Sequence, residues 1–258
     1  MVPVRPRMAQ TRIARIGTAL FRLRSFTPVP VIALLGWRLW STRGVAGPGG
    51  ELVDSLLNGL GLLVAWAGQA LRFHTLGRVR DGTSGQDPVL EARSLNTRGP
   101  YAHVRNPLYL GNLGITLGLL LVANDVWVYA IALAFFFGQY FFIIRAEEAF
   151  LLQQHGDAYA EYRRRVPRWI PRLTPAYQGR LGDRFDWARA LKKEHNPFAA
   201  WSAGALLLLG WEMRARGDLS DAARLSLEIG LGTVVAFFAA AKAYKRGWLR
   251  AHPADPAR

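Results

Sequence analysis

A chain of 258 residues that is 51% hydrophobic and carries a net charge of +15 must keep those two properties apart along its length. It has no cysteine, which excludes disulfides, thiolate nucleophiles and zinc–cysteine sites, and no base-reading module accompanies the arginines, which argues against nucleic acid as a partner. What remains is an alternation of apolar blocks with arginine-rich stretches, the pattern of helices that cross a bilayer core of about 30 Å. The expected class is all-α: a polytopic transmembrane helical bundle of about six crossings with interfacial amphipathic helices, forming one integral-membrane domain over residues 1–258.

The N-terminus, MVPVRPRMAQTRIARIG, is positively charged, but its apolar run starts late and lacks a small-residue cleavage site, so no removable signal peptide is expected. Residues 8–25 place Ile13, Ile16, Leu20 and Leu23 near one helical face, with Arg12, Arg15, Arg22 and Arg24 elsewhere, which suits a helix lying in the headgroup region. The first crossing, about 28–42, is short and contains Arg38, which must snorkel or face protein. After a turn-rich loop come crossings at 52–71, 108–124 and 126–144, the last two separated only by Asn124 and Asp125 and therefore antiparallel neighbours. FDWARALKKEHN, residues 185–196, reads as an interfacial helix leading into crossings at 197–213 and 224–242, where Glu212 and Glu228 need partners. Gly111, Gly114 and Gly118, with Gly61 and Gly68, are spaced for close helix packing. The histidines show no metal-ligand spacing, so no metal is expected.

Loop charge sets the expected orientation. Lys and Arg number six in the first 24 residues, six over 72–107 and eleven over 145–195, against one over 41–50 and none at 124–125. Both termini and both chemically distinctive stretches then face the cytoplasm.

Those stretches are GPYAHVRNPLYLG, residues 99–111, and RAEEAFLLQQHGDAYAEYRRRVPRWIP, residues 145–171. In the first, Gly99 and Pro100 force a turn, while Pro107 biases Asn106 away from helix and can occupy a first helical turn, where its missing N–H costs nothing. Tyr101, Arg105 and Asn106 are thereby presented at the interface, which on its own is also what a helix anchored among lipid phosphates requires. In the second, Glu147 and Glu148 lie at the bilayer boundary and want a cation, with Arg145 as the local partner on helical spacing. The tight reversal between the two crossings lets both stretches meet in one pocket of arginines, tyrosines and carboxylates, suited to a zwitterionic ligand and opening sideways to lipid.

Together the stretches resemble the signature of the integral-membrane methyltransferases that include isoprenylcysteine carboxyl methyltransferase and the phospholipid methyltransferases: Gly-Pro-Tyr, Arg-His-Pro-x-Tyr-x-Gly, Glu-Glu, then Gly-x-x-Tyr-x-x-Tyr and a proline-rich exit. The resemblance implies a core at 77–180 between N-terminal helices, 1–76, and a C-terminal helical extension, 181–258. It implies S-adenosyl-L-methionine bound on the cytosolic side and a lipidic methyl acceptor arriving through the membrane. Arg93, Ser94, Leu95, Asn96, Tyr101, Asn106, Pro107, Leu108 and Tyr109 would line the cofactor, and Glu147 would hold its amino end. Arg145 would face the substrate; Arg105 and Glu148 complete the catalytic candidates. One departure is Asn106, where the family usually has histidine: asparagine can hydrogen-bond but not take a proton, so if that histidine is a base in relatives this chain lacks it, and nearby His103 is the alternative.

Methyl transfer from a sulfonium is an in-line displacement in which the protein aligns the reactants and excludes water. A carboxylate acceptor needs only a steering cation such as Arg145, whereas a protonated amine must first lose a proton, for which Glu148 is the available acceptor. Two other readings fit the same chain: an NADPH-dependent reductase of the sterol-reductase type, with the arginines at 163–172 on an added phosphate, and a non-catalytic protein whose arginines grip anionic lipid.

Overall fold

The computed structural model describes residues 12–24, 26, 28–41, 50–79, 94–177 and 185–247, and among these every regular element is helical. Seven α-helices follow in order: α1 Arg12–Leu23, α2 Pro28–Ser41, α3 Gly50–Arg78, α4 Pro107–Ala123, α5 Val126–Arg165, α6 Trp187–Arg216 and α7 Asp221–Lys245. A single 3₁₀ turn, Gly99–Ala102, precedes α4. Three of the helices, α3, α5 and α7, are long and apolar enough to cross a membrane, and α4 is a shorter apolar helix. The chain is an all-α integral-membrane protein. By contrast, the 14 residues of α2 rise only about 21 Å, short of the bilayer core, although its Arg38 does face protein, 3.2 Å from Asp125.

The chain divides into two compact units, each assembled from separated stretches: residues 1–37, 79–105 and 127–178 in one, and 38–78, 106–126 and 179–258 in the other. In the second unit α3 and α4 touch along their glycines. A Cβ added at Gly61 would lie 2.5 Å from the Gly118 carbonyl oxygen, and one at Gly68 would lie 2.6 Å from that of Gly111. Seven residues forward on α3 are thus seven residues back on α4, so the two helices run antiparallel with backbones in contact. Ala65, Ile115, Trp201 and Ala205 form the apolar seam where α6 joins this pair, and α7 leans on α6 through Phe198 and Phe237, centroids 5.0 Å apart.

Polar clasps hold both ends of α3. Near its start the buried Asp54 accepts from Arg216 at 2.5 Å and is bonded by Asn124, while Arg216 also pairs with Glu212, which accepts from Asn58 at 3.0 Å. Near its other end Arg72 pairs doubly with Glu194, at 2.9 and 2.6 Å, and donates to Asn112 at 2.5 Å. Gln69 donates to Glu194 at 2.7 Å and accepts from the Trp201 indole at 2.9 Å. Eighteen residues of helix separate Asp54 from Arg72, about 27 Å, close to the thickness of a bilayer core. Glu194 is therefore committed to the packing of α6 against α3. The interfacial helix expected at 185–196 is instead the first turns of α6, which runs on through Pro197 to Arg216.

In the first unit α1 lies on α5, with Ala14, Gly17 and Phe21 buried. A Cβ at Gly17 would collide with the Phe142 carbonyl and reach Ala146. Beyond its apolar run α5 continues to Arg165, interrupted at Gly156, whose φ of 52° and ψ of −125° break the helical hydrogen-bond pattern. That conformation is one L side chains rarely adopt, so glycine there sets the bend.

Candidate active site

The first unit brings the two distinctive stretches together. After the 3₁₀ turn, whose Gly99 has a φ of 60°, residues 102–105 run alongside the chain that leaves α5. Arg105 N–H donates to the Pro167 carbonyl at 2.8 Å, Arg172 N–H to that of His103 at 3.0 Å, and Ala176 N–H to that of Ala102 at 2.9 Å. The Tyr162 hydroxyl donates to the Tyr101 carbonyl at 2.8 Å. Beneath these bonds Tyr159, Tyr162 and Val166 form a buried cluster, with Leu95 and Tyr177 packed against it.

At the centre of this junction the Glu148 carboxylate is shared by two guanidiniums. Arg105 reaches it at 2.9 Å, and Arg168 grips both of its oxygens, at 2.9 and 2.5 Å. The Glu148 hydrogen bond raises Arg168 above the ordinary arginine value. Glu148 and Arg105 are nearly out of solvent, so the two cations supply the compensation a carboxylate needs at that depth. One donor is left over: Arg105 Nε is buried without a hydrogen-bond partner.

Sequence spacing offered Arg145 as the local partner of the acidic pair, but Arg145 is exposed and stacks over the Phe141 ring, 4.5 Å from its centroid. Arg168, twenty residues beyond Glu148, takes that place. No periodicity signals such a partner, because the chain returns by an irregular segment; the only hint is an arginine beside Pro167 in the exit. Glu147 is half-buried on the same helical turn as Glu148, and Tyr101 is half-buried at the 3₁₀ turn. Leu95 joins the tyrosine cluster, Ser94 is exposed and Asn96 is half-buried; Arg93 lies outside the described residues.

Asn106, Pro107, Leu108 and Tyr109 belong to the other unit, at the start of α4. Asn106 has a φ of −123° and a ψ of 59°, and its carbonyl accepts from Leu110 N–H at 2.9 Å, so Pro107 is the first helical residue, as the sequence requires. Pro107 and Leu108 are buried and Tyr109 is half-buried. His103 Nδ1 lies 2.8 Å from the Arg172 carbonyl, a bond that ties the 3₁₀ turn to the exit segment. Arg164 and Arg165 both pair with the half-buried Glu161. Among the described residues no three His, Asp or Glu side chains gather as a metal-ligand group.

Residues 57–158 match the model of the phospholipid methyltransferase family. That segment is similar to the phospholipid methyltransferases. Over 111 residues the chain is 38% identical to the protein-S-isoprenylcysteine O-methyltransferase of Schizosaccharomyces pombe, covering 40% of this chain and 45% of that one. It is 40% identical over 86 residues to the cobalt-zinc-cadmium resistance protein CzcN of Cupriavidus metallidurans, 33% of this chain and 39% of the other. It is 33% identical over 84 residues to the nickel-cobalt-cadmium resistance protein NccN of Alcaligenes xylosoxydans xylosoxydans, again 33% and 39%. The chain thus spans less than half the length of these relatives. No solved structure matches it.

The matched segment contains Tyr101, Arg105, Glu147 and Glu148, but ends before Arg168 and before the whole of α6 and α7. The clamp on Glu148 therefore uses one cation inside the matched segment and one outside it.

Proposed function

We propose that the protein is an S-adenosyl-L-methionine-dependent membrane methyltransferase acting on a lipidic acceptor, by carboxyl O-methylation or headgroup N-methylation. The observation that carries this reading is the Arg105–Glu148–Arg168 clamp, which ties the two family motifs into one junction of cations, carboxylates and tyrosines. A free amino-acid end carries an ammonium and a carboxylate, and the junction offers a partner for each. Glu147 suits the ammonium, and the unsatisfied Arg105 Nε–H suits the carboxylate. The resemblance alone assigns Ser94, Leu95, Asn96 and the α4 residues Asn106, Pro107, Leu108 and Tyr109 to the same cofactor, together with Arg93.

When bound, the cofactor supplies an electrophilic methyl group; what this chain contributes is alignment and exclusion of water. Glu148, with both oxygens taken by guanidiniums, acts as a positioning residue that fixes Arg105. Exposed Arg145, at the membrane end of the same turn, is placed to steer an anionic acceptor group. An acceptor already deprotonated fits these residues best, since none of them is a histidine base. The reading also sets the junction on the cytoplasmic side, as loop charge requires.

The test is heat stabilisation of the purified protein. S-adenosylhomocysteine raises Tm if the reading holds, NADPH does so for a sterol-type reductase, and neither does for a purely lipid-binding protein. Methyl-labelled cofactor supplied in native lipid, followed by mass spectrometry of the extracted lipids, identifies the acceptor.

A further inference from the structure

The surface of α1 divides into three sectors, not the two visible in its sequence. At about 100° per residue, Ala14, Gly17 and Phe21 fall in one sector, all buried against the protein. Ile13, Ile16 and Leu23 occupy a second, 38%, 47% and 54% exposed. Arg12, Arg15 and Arg22 make the third, all exposed, and the helix contains no acidic residue. The sectors are centred roughly a third of a turn apart. A helix so arranged has one orientation at a membrane: protein beside it, acyl chains below it, headgroups around its arginines.

Its seat is rigid. The Gly17 backbone lies against the Phe142 carbonyl and the Ala146 methyl, too close for any side chain, and Thr18 caps the Ala14 carbonyl at 2.9 Å within the helix. Arg24 is spent on the protein, over the Phe21 ring and on the Phe21 carbonyl at 2.8 Å. The remaining three guanidiniums are exposed on one sector of a helix whose buried face is pressed onto α5 at Gly17.

We infer that α1 is a binding surface for anionic lipid headgroups, with Arg12, Arg15 and Arg22 as its ligating side chains and Ile13, Ile16 and Leu23 as its acyl-chain contacts. Complementarity commits the surface to an anionic bilayer: three cations without a carboxylate, beside an apolar strip that no aqueous anion would cover. The inference does not rest on methyl transfer. It places a local pool of acidic lipid against the turn of α5 that carries Arg145 and Glu147.

The natural chain has no cysteine, so one label reports one position. The full-length protein bearing Ile16→Cys, labelled with bimane, is reconstituted in phosphatidylcholine containing about a third phosphatidylglycerol. Either the anionic or the zwitterionic lipid carries brominated chains. Quenching by the anionic lipid is expected to exceed that by the zwitterionic lipid about fivefold at low salt, the weight of about one arginine near a charged surface. The excess should shrink at high salt. A Val235→Cys label on exposed mid-α7 reports the bulk lipid ratio. Arg12, Arg15 and Arg22→Gln abolishes the preference, and the corresponding Lys variant keeps it. Equal quenching at position 16, a preference surviving in the Gln variant, or one indifferent to salt overturns the inference. None of these readouts uses turnover, so they stand or fall separately from cofactor binding.

Discussion

Replacing Glu148 by glutamine leaves Arg105 and Arg168 facing one another without the charge that holds both, at a depth where only about a tenth of the Glu148 side chain meets solvent. The expected cost is about 2–3 kcal/mol, read as a lowered Tm in detergent, because half of the pairing is with a partly exposed arginine. Arg164→Ala, which breaks a pair in open solvent, leaves Tm unchanged in the same assay. Glu147→Ala should lower the affinity for S-adenosylhomocysteine about tenfold or more, as expected for a lost charge-assisted contact. His195 gives a pH signature. Burial, followed by the positive charge of Lys245, lowers it below the ordinary histidine value, against weaker support from backbone hydrogen bonds. The unfolded chain therefore takes up the proton first as pH falls. Stability is complete above about 6.5 and declines as pH drops from there towards the lowered folded value, and His195→Phe should flatten that slope.

At the scale of elements, the helices were legible in the sequence and their partners only partly so. The glycine stripes announced close packing, and the structure pairs Gly61 with Gly118 and Gly68 with Gly111, so Gly118→Leu should force α3 from α4. Overpacking of that kind costs about 1–3 kcal/mol, and a fluorescent pair placed on the two helices would report the separation. Proline and glycine chemistry fixed where α4 begins and where the 3₁₀ turn lies, because those preferences are local. The cation that closes on Glu148 was illegible, since Arg168 arrives by a loop with no period, and the nearer Arg145 was the natural choice on helical spacing. Glu194 was hidden for the same reason: its partner lies on another helix, and nothing at 194 says that Arg72 will need it. Composition over 28–42 suggested a crossing, but helix length counts in ångströms, and α2 has too few residues.

For the whole molecule, the proposed orientation has a direct check in the cysteine-free chain. Asp218→Cys, in the turn between α6 and α7, should react with a membrane-impermeant thiol reagent added outside intact cells. Leu173→Cys, fully exposed beyond α5, should react only after the cells are opened. The reverse pattern would invert the protein in the membrane. The clasp at the end of α3 also bears on how the chain is made. Arg72 leaves the ribosome 40 residues ahead of Asn112 and 122 ahead of Glu194. At about 5–20 residues per second, the nascent α3 must hold its guanidinium for on the order of ten seconds before the matching carboxylate is translated, with a neutral amide as its first companion. Insertion of the N-terminal half is then provisional until α6 emerges, and a ribosome stalled in between would leave a helix that the surrounding lipid has reason to reject.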